Sequence, residues 1–245
     1  HTGSLTLAVI AQKFSAIDPM VSAFIFILFI IGFGVEAELF SLNFWAPDVY
    51  TSSPTNITAI LSGISAKAGI YALIRFLYLI YTYDERSRLF FFIIALVTLI
   101  IAEIIAFKQE DLKRMLAYSS IGQVGLIVLA FAVGTSSAVE GALFHLLNHS
   151  LIKIMLFLIT GYFALRIGST RIRDLRGIGT KMPVSVVFFV IGSLAVMGFP
   201  PFNGFVSKIM ILKAMGDIRM IAPLIFVLIA SLIEVAYYFK AIQVF

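Results

Sequence analysis

Long apolar stretches recur along this chain, and that pattern constrains the fold more than any single motif. A helix needs about 20 apolar residues to cross the roughly 30 Å hydrocarbon core of a bilayer. Lipid offers no partner to backbone N–H and C=O groups, so each span must bond them internally, as a helix does. Strands of a membrane barrel are about half as long and alternate in polarity, which these stretches do not. Charged residues make up 13% of the sequence and hydrophobic ones 61%, where a soluble domain is about a quarter charged. The reading is an all-α, polytopic transmembrane helix bundle.

Seven crossings are expected. Residues 1–18 are more polar and weakly amphipathic, which suggests an interfacial segment. Spans then run over about 19–42, 57–82, 89–107, 108–133, 138–166, 184–217 and 220–243. Two of them should be discontinuous. Gly32 and Gly34 stand beside Glu36 and Glu38, suggesting a broken or cavity-lining helix. Pro200 and Pro201, between Gly198 and Gly204, cannot continue a regular helix. Paired interrupted helices in a repeat-built transporter point to an ion site. Gly32-Phe33-Gly34-Val35-Glu36 faintly echoes Gly204-Phe205-Val206-Ser207-Lys208.

The remaining clue is charge in the wrong place. His145, His149 and Lys153 lie four residues apart inside the fifth span. That spacing keeps them on one helix face, rising about 12 Å in all. Lys67, Glu103, Lys208 and Glu234 are also inside spans. Intramembrane ionisable groups are costly, and they face a bundle interior or a water-filled path. The plainer reading of the histidine cluster is a basic helix end snorkelling to the headgroups, but a long apolar run separates Lys153 from Arg166.

Basic residues in the connections set orientation. The 108–114 and 166–182 loops share one side and hold Lys108, Lys113, Arg114, Arg166, Arg171, Arg173, Arg176 and Lys181. The other side has Lys13, Arg86, Arg88 and Arg219, so the positive-inside rule makes the first side cytoplasmic. The net charge of +5 therefore reflects topology and not nucleic-acid binding. There is no cysteine and no nucleotide fingerprint. We expect no metal site, iron–sulfur cluster or other cofactor in this chain, with any electron transfer left to partners. The start at His1-Thr2-Gly3, without an initiator Met or signal peptide, suggests a piece of a longer chain.

Several motifs together resemble a family. They are Trp45-Ala46-Pro47-Asp48 with Ser53-Pro54-Thr55, the run from Asp111 to Gly125 containing Tyr118-Ser119-Ser120-Ile121-Gly122-Gln123, the histidine ladder, and Gly198-Phe199-Pro200-Pro201-Phe202-Asn203-Gly204-Phe205-Val206-Ser207-Lys208. The sequence is similar throughout to the antiporter-like membrane subunits of respiratory complex I. The same module occurs in Mrp-type Na⁺/H⁺ antiporters and membrane-bound nickel–iron hydrogenases. The Tyr237-Tyr238-Phe239 run after Glu234 looks more like the Mrp and hydrogenase branch.

The resemblance implies an inverted-repeat antiporter fold, with 19–82 as the end of the first repeat in two spans and 83–245 as the second in five. It implies a subunit that moves H⁺ or Na⁺ in a prokaryotic or energy-transducing inner membrane. Its partners would be the lipid bilayer, other membrane subunits, and a soluble redox arm or Mrp subunits. It implies roles for Lys67 as a bridging base, His145, His149 and Lys153 as the connecting relay, and Lys208 as the terminal lysine. Lys113 resembles the lysine opening a later helix, and reads equally as a surface charge. Glu103 and Glu234 match no such role and read equally as structural hydrogen-bonding groups.

The sequence also departs from the family pattern. The first broken helix normally carries Gly-x-x-Lys before Pro-x-His-x-Trp. Here Glu36, Ser41 and Asn43 stand at the Lys, Pro and His positions. Glu36 is then expected to pair with Lys67 on the next helix, impairing the first half-channel or turning it to Na⁺. The alternative is a structural subunit that has lost transport in that half.

Overall fold

The computed structural model describes residues 3, 6–14, 16–80 and 85–245, with only the backbone at 79–80 and 85–87. Part of the expected interfacial segment, and Asp84 in the charged connection, lie outside the described residues. The described residues form helices and no named strand. The elements are α1 (Leu7–Phe14), α2 (Pro19–Glu36), α3 (Ala46–Ser52), α4 (Thr55–Ile60), a π turn (Leu61–Ser65), α5 (Ala66–Ile80), α6 (Glu85–Phe107), α7 (Leu112–Val133) and α8 (Ser136–Ile167). A 3₁₀ turn (Ile172–Leu175) and a short α9 (Ile178–Lys181) follow. They lead to α10 (Pro183–Met197), α11 (Asn203–Asp217) and α12 (Ile221–Ile242).

The helix starts follow from local chemistry. Asp18 caps α2 by accepting from the Met20 and Val21 amides at 2.9 and 3.3 Å, with Pro19 in the first turn. Asp111 caps α7 through the Arg114 amide at 2.9 Å. Thr135 caps α8 through the Ala138 amide at 3.2 Å. Six helical stretches among the described residues are long and apolar enough to cross a membrane, and α10 with α11 supplies a broken seventh.

α7 is the hub. Nearly all of its side chains are buried, and it packs on α3, α6 and α8. α8 in turn holds α4, α10 and α11, while α12 closes against α6. α1 lies on α5, where Phe14 joins a cluster with Phe76. The 108–114 and 166–182 connections meet directly. Leu112 donates to the Thr170 carbonyl and Ile172 to the Glu110 carbonyl, both at 2.8 Å. Gly177 and Gly179 bond the carbonyls of Val244 and Phe245 at 3.0 Å, so the end of α12 lies on that same side.

The first break is not where the glycines suggested. α2 runs through Gly32 and Gly34 without interruption and stops at Glu36. The irregular backbone is 37–45, with positive φ at Glu38 (57°) and Ser41 (68°). Gly34 instead lets the returning chain fold against it, since a Cβ there would press on Leu42. The second break does fall on the proline pair, between α10 and α11. Gly204 lies just inside α11 and not in the break. A Cβ on it would overlap the Ala195 backbone carbonyl, so it sets the close crossing of α10 and α11.

Candidate functional site: a buried line of ionisable side chains

Lys67, Lys113, His145, His149, Lys153 and Lys208 are all buried, none more than 6% exposed. A snorkelling lysine would show its ammonium at the surface, so that reading is excluded for the helix interior. On α8 the ladder faces inward while Leu147 and Leu151 face out, at 62% and 70% exposure. The four-residue spacing therefore does put the three groups on one buried face.

The α11 end of the line is a connected network. Lys208 Nζ lies 2.5 Å from Glu234 Oε2 and also donates to the Met197 carbonyl at 3.3 Å, which the helix break leaves free. Gln123 Nε2 donates to Glu234 Oε1 at 3.0 Å and to Glu103 Oε1 at 3.3 Å. Gly122 makes room for that acid, because a Cβ there would overlap the Glu103 carboxylate. Glu103 and Glu234 are thus central to the cluster, and both are fully buried.

This network fixes a histidine tautomer. With its amide nitrogen spent on two carboxylates, Gln123 presents Oε1 to His145 Nε2, 3.0 Å away. An amide oxygen only accepts, so His145 Nε2 carries the proton. His145 Nδ1 then accepts from Ser207 Oγ at 2.8 Å. If His145 gains a second proton, the direction reverses, because Ser207 Oγ can donate to the Gly204 carbonyl at 3.1 Å. The imidazole can therefore charge and discharge without leaving either ring nitrogen unbonded.

Lys153 is held by the Leu116 carbonyl (3.1 Å), Ser119 Oγ (2.8 Å) and Tyr238 OH (3.2 Å). Between it and His145 stands His149, whose ring lies 6.2 Å from that of His145, nearly parallel. Both nitrogens of His149 are buried and have no protein hydrogen-bond partner among the described residues. Lys67, Lys153 and His145 all act on it electrostatically. Lys67 itself donates to the Ser62 carbonyl, in the π turn just before it. Such π turns leave backbone groups free inside a helix and recur at functional sites. Ser62 Oγ reaches Ser120 on α7 at 2.9 Å.

The expected Glu36–Lys67 pair is not formed. Glu36 is exposed and packs along Gly69 of α5. The buried acid is Glu38, whose carboxylate accepts from Tyr50 OH and acts electrostatically on Lys67. The reason is the shifted break: at a positive φ, residue 38 turns its side chain inward, and residue 36, still helical, keeps its own outward. Lys113 is buried and not a surface charge. It donates to the Ser53 and Thr51 carbonyls at 2.5 and 3.3 Å, at the end of α3, where a cation suits the helix dipole.

Gln123, Ser119, Ser207, Tyr50, Tyr238 and Glu38 were given no site role from sequence. Polar residues in an apolar span were the available signal for Ser119 and Gln123. For Glu38 it was a second acid two residues after Glu36.

A profile of the NADH:quinone oxidoreductase/Mrp antiporter transmembrane family matches residues 1–234. The chain is 34% identical over 99% of its length to NADH-quinone oxidoreductase subunit N of Desulforudis audaxviator, covering 49% of that protein. It is 32% identical over 80% of its length to subunit M of Rickettsia felis, covering 40% of it. A chain of the archaeal membrane-bound sulfane sulfur reductase superposes with a TM-score of 0.93 at 41% identity, over 99% of this chain and 50% of that one. For a chain of the Mrp complex from Dietzia the TM-score is 0.92 at 25% identity, over 99% and 45%. The chain spans about half the length of the curated relatives it matches. From its sequence, its helix bundle and these matches, the chain belongs to the NADH:quinone oxidoreductase/Mrp antiporter transmembrane family.

Proposed function

We propose that this chain is an ion-translocating part of an antiporter-like subunit in a multi-subunit membrane complex, moving H⁺, Na⁺ or both. One observation carries the reading. Lys208, Glu234, His145, His149, Lys153 and Lys67 are all buried in one bundle, and among the described residues no protein group hydrogen-bonds His149. Most buried imidazoles that only hold structure bond to a protein group or to water. An unbonded one between charged neighbours is suited to take a proton from one side and give it to the other. Burial lowers an amine's proton affinity and a nearby acid restores it, so each transfer changes the affinity of the next group. The driving force comes from a partner redox module or an ion gradient. The partners are other membrane subunits of the complex.

The test is a matched pair in the assembled complex reconstituted into vesicles. His149→Ala is expected to slow ion transport on the order of a hundredfold, the scale of a lost proton-transfer group. Leu147→Ala, on the outward face of the same helix, is expected to leave the rate nearly unchanged. Equal small effects would mean the ladder is structural.

Orientation is part of the proposal. The 108–114 and 166–182 connections, which meet in the fold, lie in the cytoplasm. The chain has no cysteine, so Arg173→Cys is expected to react with an impermeant thiol reagent only from the cytoplasmic side, and Ile218→Cys only from the other. The opposite pattern would overturn the orientation.

A further inference from the structure

Glu38 stands where neither a helix nor a surface explains it. It lies in the irregular stretch after α2, at φ 57°, a conformation uncommon for a residue with a side chain. Three contacts hold the stretch there. Leu39 N donates to the Gly34 carbonyl at 3.0 Å and Phe40 N to Thr98 Oγ1 at 2.9 Å, while Trp45 Nε1 reaches the Val35 carbonyl at 3.2 Å. The outcome is an acid with no solvent exposure. Strained residues of this kind persist where their surroundings impose them, and they cluster at functional sites.

The chemistry around the carboxyl group is asymmetric. Oε1 accepts from the Tyr50 hydroxyl, while Oε2 has no protein hydrogen-bond partner among the described residues. The Lys67 and Lys153 charges favour its ionised form and the Glu36 charge opposes it. A buried carboxylate is tolerated when a cation and hydrogen bonds compensate it. Here the only hydrogen-bonding contact among the described residues is the Tyr50 hydroxyl on Oε1, with the Lys67 and Lys153 charges acting from farther away and Oε2 left available.

We propose that Glu38 is the proton-exchanging carboxyl of the 19–82 half of the site, acting with Lys67 across a gap wider than an ion pair, and that Glu36 has no such part. This rests on the transport reading above. The step begins with Glu38 protonated, Lys67 charged and His149 neutral. Neither gap is closed by a direct hydrogen bond among the described residues, so each handover is relayed by water. Lys67 passes its proton to a His149 ring nitrogen, and Glu38 then returns its own proton to the Lys67 amine and is left as a carboxylate. One proton taken up at Oε2 restores the start, so one proton enters for each one passed to His149. Tyr50 anchors Oε1 and leaves Oε2 as the exchanging atom.

The experiment uses the whole complex in vesicles and compares Glu38→Gln, Glu38→Asp and Glu36→Gln, with His149→Ala alongside. Glu38→Gln is expected to lower transport on the order of a hundredfold, Glu38→Asp to recover part of it with a shifted pH profile, and Glu36→Gln to retain more than Glu38→Gln. Transport by Glu38→Gln at the normal rate, or a larger loss from Glu36→Gln, overturns the proposal. If His149→Ala also transports normally, the transport reading itself fails. If only His149→Ala is slow, Glu38 alone is ruled out. Should Glu38→Gln fail to assemble, Glu38→Gln with Lys67→Met removes the stranded charge. Recovered assembly then supports the pair, and continued failure overturns it.

Discussion

Lys208→Ala is expected to abolish ion transport and to weaken the bundle. Lys208 and Glu234 meet at 2.5 Å with side chains 7% and 0% exposed, among helices and away from water. Removing one member of a buried pair costs about 3–5 kcal/mol, because the other charge is left without compensation. Here the stranded group is Glu234, which would keep only the Gln123 amide as a partner. Gln123 also bonds Glu103, a second buried acid, so the cation that tempers two carboxyl groups is lost at once. Transport in reconstituted vesicles should fall on the order of a hundredfold, and thermal unfolding of the purified complex should shift downward.

Lys208→Ala combined with Glu234→Gln separates the two effects. The double variant leaves no buried charge at that point, so stability is expected to return while transport does not. Transport at the normal rate by Lys208→Ala in an assembled complex would remove Lys208 from the pathway.

Gly204→Ala is expected to prevent correct closure of α10 on α11. The obstacle to an added Cβ is the Ala195 carbonyl, a backbone group that cannot rotate aside. Overpacking against flexible side chains costs about 1–3 kcal/mol. Against backbone the helices themselves must separate, and the cost should reach or exceed the top of that range. Ser207 and Lys208 lie within one turn of Gly204, so a shift of α11 also pulls them from His145 and Glu234. The expected result is a large drop in the yield of assembled complex, with residual material inactive. Wild-type yield and unfolding temperature would show that the crossing is looser than described.

Much of the architecture was legible in residue order. Span length against bilayer thickness determined helices over a barrel. The caps at Asp18, Asp111 and Thr135 are equally local, a side-chain oxygen before an apolar run meeting the free amides of a first turn, although only the structure identified them. The four-residue spacing of His145, His149 and Lys153 settled that they share a face, since helical periodicity is local. The Pro200-Pro201 pair marked the second break for the same reason: a proline removes a backbone donor wherever it occurs.

Tertiary structure decided what local rules could not. Nothing in Gly-Phe-Gly-Val-Glu-Ala-Glu says which acid turns inward. That depends on where α2 ends, and contacts from Trp45 and from Thr98, 58 residues beyond Phe40, set that end. Glu103 and Glu234 read from sequence as ordinary hydrogen-bonding acids. They became central because Gln123, on a third helix, reaches both. The burial of Lys113 came from the end of α3, 60 residues earlier. Sequence sets which groups are ionisable and which helix face they share. Their partners are chosen by helix packing, because desolvation and ion pairing depend on distances between segments that are far apart in the chain.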